Sequence, residues 1–234
     1  MKTIGILGGM GPLATADLFR KIVLLTDAHS DNEHIRVYID SNSAIPDRTA
    51  AILHGGPDPV PEMADALRHL ETCGADCILM PCNTAHYFLP RLQAMTDIPF
   101  LSMLEATAKA CAERFPGRTA GILATRGTLE TGLYTQALER AGVASLMPDE
   151  AGKDALMTVI YDGVKAGRDL APMAPDLLDT LDRMRQQGAG YFILGCTELP
   201  LVRQMLNLPG DFIDPTAELA KAAIRFCGGT IKED

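Results

Sequence analysis

Two cysteines close two apolar runs of this chain, in settings that are nearly the same. The first run, Cys77 to Met80, stops in Pro81-Cys82-Asn83-Thr84-Ala85-His86. The second, Tyr191 to Leu194, stops in Gly195-Cys196-Thr197-Glu198. A short apolar run cut off by a polar turn reads as a buried strand delivering side chains to a strand-to-helix turn. Cys82 and Cys196 stand 114 positions apart, and at that offset Gly74-Ala75 falls on Gly188-Ala189. A thiol is a weak acid and its thiolate a base. Two of them at equivalent ends of a repeated unit suggest a site with thiols on two opposing sides. The bland role of cysteine, packing as a small apolar group, is assigned to Cys73, Cys77, Cys111 and Cys227.

Other residues could serve such a site. Arg48, in Asp47-Arg48-Thr49, and Lys165 are single cations near polar sequence in opposite halves, although an isolated Lys or Arg also reads as a solvated surface charge. Asn83, Thr84 and Thr197 follow the thiols and could cap the next helices. Capping is compatible with holding a carboxylate, because a helix N-terminus is an anion site. Gly9-x-Gly11-x-x-Ala14 after a strand matches a degenerate dinucleotide fingerprint, with Asp40 as the ribose acid of a nicotinamide oxidoreductase. Against it, Asp40 lies 29 residues past Gly11, beyond the usual ~20, and Pro12 removes an amide where a pyrophosphate wants donors. Cys73, Cys77, Cys82 and His86 fit no common zinc spacing, and Cys77 and Cys82 would point to opposite faces of a strand. His86 reads as a helix-start residue.

The elements that position these groups alternate strand and helix. Strands are expected at Thr3–Leu7, Ile35–Asp40, Cys77–Pro81 and Pro99–Ser102, with helices at Ala14–Leu25, Glu62–Cys73, from His86 to about Met95, and Glu105–Phe115. The pattern then restarts. Ala120 to Leu129 lines up with Ile4 to Leu13, with Gly5, Ile6, Leu7, Gly11 and Leu13 repeated and Gly5 falling on Gly121, 116 positions later. Two matches at nearly one offset argue for duplication. The second half adds helices at about Tyr134–Ala141, Glu150–Gly167 and Asp176–Gln187, a short strand near Ala144–Met147, and a last helix at Thr216–Phe226. Each half is βαβα-like, so the expected fold is α/β: two pseudo-symmetric lobes, each a mainly parallel sheet flanked by helices, with the site in the cleft between them. The expected lobes are 1–101 plus 209–234, closed by the returning last helix, and 102–208.

With 234 residues, 47% hydrophobic and 22% charged, the composition is that of an ordinary globular protein. A net charge of −9 argues against nucleic acid or an anionic membrane as partner. No apolar run approaches the ~20 residues of a membrane span. Six cysteines without a secretory leader fit reduced thiols in a cytoplasm.

Taken together, Gly5 to Pro12, Asp47-Arg48-Thr49, Pro81 to Ala85, Lys165-Ala166-Gly167 and Leu194 to Leu199 make the chain resemble the aspartate/glutamate racemases over essentially its whole length, most closely the cofactor-independent aspartate racemases. The resemblance implies a homodimer that binds a small amino acid and requires neither pyridoxal nor metal. It implies that Cys82 and Cys196 exchange the α-proton, that Arg48 and Lys165 hold the side-chain carboxylate, and that Met10, Asn83, Thr84, Thr125 and Thr197 hold the backbone groups. Both thiols are kept, which favours two-way racemisation. Glu198 stands where glutamate racemases carry a histidine, which favours aspartate over glutamate or another amino acid. A nicotinamide oxidoreductase and a non-catalytic binding module stay open as readings of the residues themselves.

Overall fold

The computed structural model describes residues 1–232, which divide into two units. The first comprises Met1–Ala106 with the chain from Thr216 onward, the second Thr107–Pro215. In the first, β1 (Ile4–Gly8), β2 (Val37–Ser41), β3 (Cys77–Leu79) and β4 (Phe100–Leu101) form a parallel sheet in the order β2-β1-β3-β4. In the second, β5 (Thr119–Leu123), β6 (Ser145–Leu146), β7 (Ala189–Leu194) and β8 (Phe212–Ile213) repeat that order as β6-β5-β7-β8, again parallel. The α/β reading, with two parallel sheets flanked by helices, is what the structure shows.

Parallel strands covered on both faces must be apolar throughout, and the central strands are. In the first unit, Ile4, Ile6, Cys77 and Leu79 face a core shared with Leu18 and Ile22 of the helix Pro12–Leu25. Leu7, Ile78, Met80 and Cys82 face the other core, with Met63, Leu67 and Leu70 of the helix Val60–Thr72. Cys77 and Cys82 therefore belong to different cores. In the second unit, Phe192, Leu194 and Cys196 join Leu177, Leu181 and Met184 of the helix Ala174–Gln186.

The first core also takes in Leu219, Ala220, Ala223, Ile224 and Cys227 from the last helix, Pro215–Phe226. The return to the first unit comes at Thr216, later than the expected 209. The segment before it is held in the second sheet, where Phe212 and Ile213 pair with Phe192 and Ile193 of β7. Likewise, Ser102 to Ala106 belong with the first unit. Of the cysteines assigned to packing, Cys77, Cys111 and Cys227 are buried, whereas Cys73 is exposed at a helix C-terminus. Among the described residues no helix is long and apolar enough to cross a membrane.

The duplication appears in one register. Gly5 of β1 is paired with Ile78 of β3, and Gly121 of β5 with Phe192 of β7. In both cases the partner lies four residues before the thiol. Glycine is needed there because the neighbouring side chain occupies its missing Cβ. A Cβ on Gly121 would fall 2.5 Å from Phe192 Cδ1, and one on Gly5 would fall 2.9 Å from the Ala75 Cβ. Gly121→Ala should destabilise the protein by about 1–3 kcal/mol, the usual cost of overpacking a close-fitted core. Urea unfolding checks this; an unchanged midpoint would mean that the Phe192 ring is not fixed.

Candidate active site

In each unit the thiol sits just past the carboxyl end of a strand, where parallel α/β sheets place their ligands. Cys82 is 7% exposed and Cys196 8%, so neither is a solvated surface thiol, and both are free.

In the first unit, β3 ends at Leu79 and the chain turns at once, with the Cys82 amide donating to the Met80 carbonyl at 2.8 Å. A single 3-10 segment follows, Thr84–Phe88, and then the short helix Leu89–Gln93. The expected long helix behind Cys82 is thus broken, and an anion there would feel only a short run of aligned peptides. Asn83, in the cap position, makes no capping bond with its side chain. Asn83 and Thr84 are nevertheless buried, as is Met10.

His86 does more than start a helix. Its Nε2 accepts from the Met103 amide at 3.1 Å, so Nδ1 carries the proton and donates to the Cys82 carbonyl at 2.9 Å. The neutral imidazole ties the backbone of Cys82 to the start of the helix Met103–Arg114. Burial holds its pKa down from 6.5 to about 4.

Arg48 is buried, against the surface-charge reading. It begins the helix Arg48–Leu53, which Asp47 caps by accepting from the Ala50 amide at 2.8 Å. The guanidinium is oriented by three carbonyls: Nη1 donates to Ile45 at 3.2 Å and Pro46 at 2.9 Å, and Nη2 to Met10 at 3.0 Å. This places the Met10 loop against Arg48.

The same loop does not suit a dinucleotide. The Gly9 amide already donates to the Thr15 hydroxyl at 2.9 Å, and that hydroxyl donates to the Gly11 carbonyl at 3.1 Å. Gly9, at φ +91°, lies so close to Asn42 that a Cβ would come within 2.2 Å of its carbonyl oxygen. Asp40 is engaged by His69 Nδ1 at 2.7 Å.

In the second unit, Thr125 caps the helix Arg126–Glu130 by accepting from the Thr128 amide at 3.4 Å. Thr197 is not the cap of the helix Leu199–Leu206; Glu198 takes that position, and its side chain makes no capping bond. The Glu198 carboxylate instead turns to the thiol. Cys196 Sγ donates to Oε2 at 2.9 Å, and Thr197 Oγ1 donates to the same oxygen at 3.3 Å. Burial, and then the Glu198 charge, push the Cys196 thiol well above its ordinary pKa, with Lys165 pulling the other way. Lys165 ends a π-helical segment, Thr158–Lys165, that continues the helix Glu150–Met157. It is exposed, its Nζ 4.3 Å from the centre of the Tyr161 ring. π-Helical turns cluster at functional sites.

Residues 7–223 match the family model for Asp/Glu/hydantoin racemases. The chain belongs to this family. A curated relative, the broad specificity amino-acid racemase RacX of Bacillus subtilis (strain 168), is 28% identical over 94% of this chain and 96% of its own length. The solved Picrophilus torridus aspartate racemase superposes with a TM-score of 0.82 at 30% identity, covering 99% of this chain and 96% of that one. The aspartate racemase homologue of Pyrococcus horikoshii OT3 shares the fold, with a TM-score of 0.78 at 24% identity over 97% of this chain and all of that one. The protein is thus an amino-acid racemase by family, an isomerase of a small substrate.

The contacts of His86 and Glu198 are not visible in the sequence. A histidine four positions after Cys82 and a carboxylate two after Cys196 were the available signals, but only tertiary contacts give them roles. His86 yields a pH prediction. Its pKa in the fold lies below its unfolded value, so its contribution is complete above about pH 6.5 and is lost as pH falls toward about 4. The pH dependence of wild-type stability should exceed that of His86→Gln over this window by about 3 kcal/mol. Urea titrations at pH 7 and pH 4.5 measure it, and parallel curves for the two proteins would refute a buried neutral imidazole.

Proposed function

We propose that this racemase interconverts L- and D-aspartate, with Cys82 and Cys196 as the two acid/base groups and no cofactor. One observation carries the reading: two buried thiols occupy equivalent places past β3 and β7 of a duplicated sheet. Inversion at the α-carbon needs one group to remove the proton and another to deliver one to the opposite face. A thiolate and a thiol can do both without the substrate turning over. The Cys196 thiol, already donating a hydrogen bond, supports the assignment of one acid and one base at rest.

The carbanion formed on deprotonation is stabilised by donors around the α-carboxylate. Asn83, Thr84, Thr125 and Thr197 are buried at the strand ends and suit that task. Arg48, oriented by its three carbonyls, and Lys165 would bind the side-chain carboxylate, which is the basis for aspartate. The likeness to the Picrophilus aspartate racemase supports the same substrate. A second reading, a racemase of several amino acids, is supported by the full-length similarity to the broad specificity enzyme of Bacillus subtilis. The resemblance also supports a homodimer, which sedimentation would test.

Proton NMR of L-aspartate in heavy water, with chiral chromatography of the product, decides first. Loss of the α-proton together with D-aspartate is expected from the reduced enzyme alone. Cys82→Ala and Cys196→Ala should each abolish inversion, and near-normal turnover in either would overturn the two-thiol mechanism. Arg48→Ala and Lys165→Ala should raise KM for aspartate about ten- to a hundredfold, the worth of a charge-assisted hydrogen bond, and leave alanine unaffected. Equal losses for both amino acids would remove these cations from side-chain recognition and favour the broad reading.

A further inference from the structure

We propose that Glu198 is a positioning residue for Cys196, its carboxylate holding the resting proton on that sulfur so that the free enzyme stands with Cys196 as the acid. This rests on the reading of Cys196 as an acid/base group. The geometry is direct. Both side chains are buried, Cys196 Sγ lies 2.9 Å from Glu198 Oε2, and the Thr197 hydroxyl fixes the same oxygen from 3.3 Å. A carboxylic acid ordinarily loses its proton near pH ~4.3 and a thiol near ~8.5, so a proton shared between the two belongs to the sulfur.

Removing that proton would leave two negative charges side by side, which raises the proton affinity of the thiolate. Among the described residues, the charged and titratable groups that act on Cys196 include Glu198, Lys165 and Tyr134. Lys165, at the end of the π-helical segment, opposes Glu198. Tyr134 is fully buried and stays neutral, its hydroxyl bonded to Thr107 and influenced by Asp214 and Cys111. Of these, Glu198 is hydrogen-bonded to the sulfur. Its effect on catalysis has two sides: a Cys196 thiolate is rare, and once formed it is a stronger base for pulling an α-proton.

The test is site-resolved alkylation. Full-length reduced enzyme is pulsed with iodoacetamide from pH 6 to 11, and the Cys196 peptide is quantified by mass spectrometry. In the wild type the midpoint for Cys196 should lie above the ordinary thiol value of ~8.5. In Glu198→Gln, which keeps the shape and an acceptor oxygen but loses the charge, the midpoint should fall by at least one pH unit. That corresponds to roughly tenfold faster labelling at pH 8, with the Cys82 midpoint unmoved. An equal midpoint in the two proteins would overturn the proposal. If Glu198→Gln does not fold, a wild-type Cys196 midpoint at or below the ordinary value overturns it without any variant. Labelling does not depend on turnover, so shifted midpoints in a protein that inverts no amino acid would refute the racemase mechanism and leave the Glu198 contact standing.

Discussion

A parallel strand buried on both faces has to stay apolar to its last residue and then turn at once, and the placement of both thiols follows from that constraint. β3 spans only Cys77–Leu79 before the chain turns, and β7 runs to Leu194 before Gly195. The residue at each turn is held by the sheet behind it, since Cys82 and Cys196 are themselves members of the cores beneath. The glycines of β1 and β5 leave room for the Ala75 and Phe192 side chains that pack over them. A thiol is small and apolar enough to belong to a core and still able to exchange a proton. This is why cysteine suits the position where a carboxylate or imidazole would carry a much larger cost of burial.

The repeated scaffold does not give the two thiols the same surroundings. Beside Cys82 the support is indirect: a neutral imidazole grips the backbone carbonyl and leaves the sulfur to its other neighbours. Beside Cys196 it is direct, a carboxylate on the sulfur itself. L- and D-enantiomers have equal free energies in water, so no such asymmetry can bias the equilibrium they reach. By the same equality kcat/KM is identical in the two directions, and the asymmetry can change only how each divides between kcat and KM.

Much of this was legible in the sequence, for particular reasons. The α/β class followed from apolar runs alternating with helical spacing, and the internal repeat from matches at 114 and 116 positions. The thiols stood out because polar residues follow each of them. Illegible were features that depend on distant partners. Arg48 looks like a surface charge until the carbonyls of Ile45, Pro46 and Met10 are seen around its fork. The segment around Phe212 looks like part of the returning tail, because a two-residue strand has no period to read. The single helix expected after Cys82 is two short pieces, because Thr84–Phe88 winds as a 3-10 turn and Pro90 sits in the first turn of Leu89–Gln93.

The last helix has a bearing on how the chain is made. Its Leu219, Ala220, Ala223 and Ile224 complete a core whose other members include Ile4 and Ile6, near the opposite end of the sequence. The second unit is continuous and can close as soon as it leaves the ribosome. The first is discontinuous, and the face of its sheet that the helix Pro12–Leu25 covers in part is not completed until synthesis has passed Phe226. During translation the half that is made first is therefore finished last, and in that interval its apolar strands are the surface most in need of a chaperone.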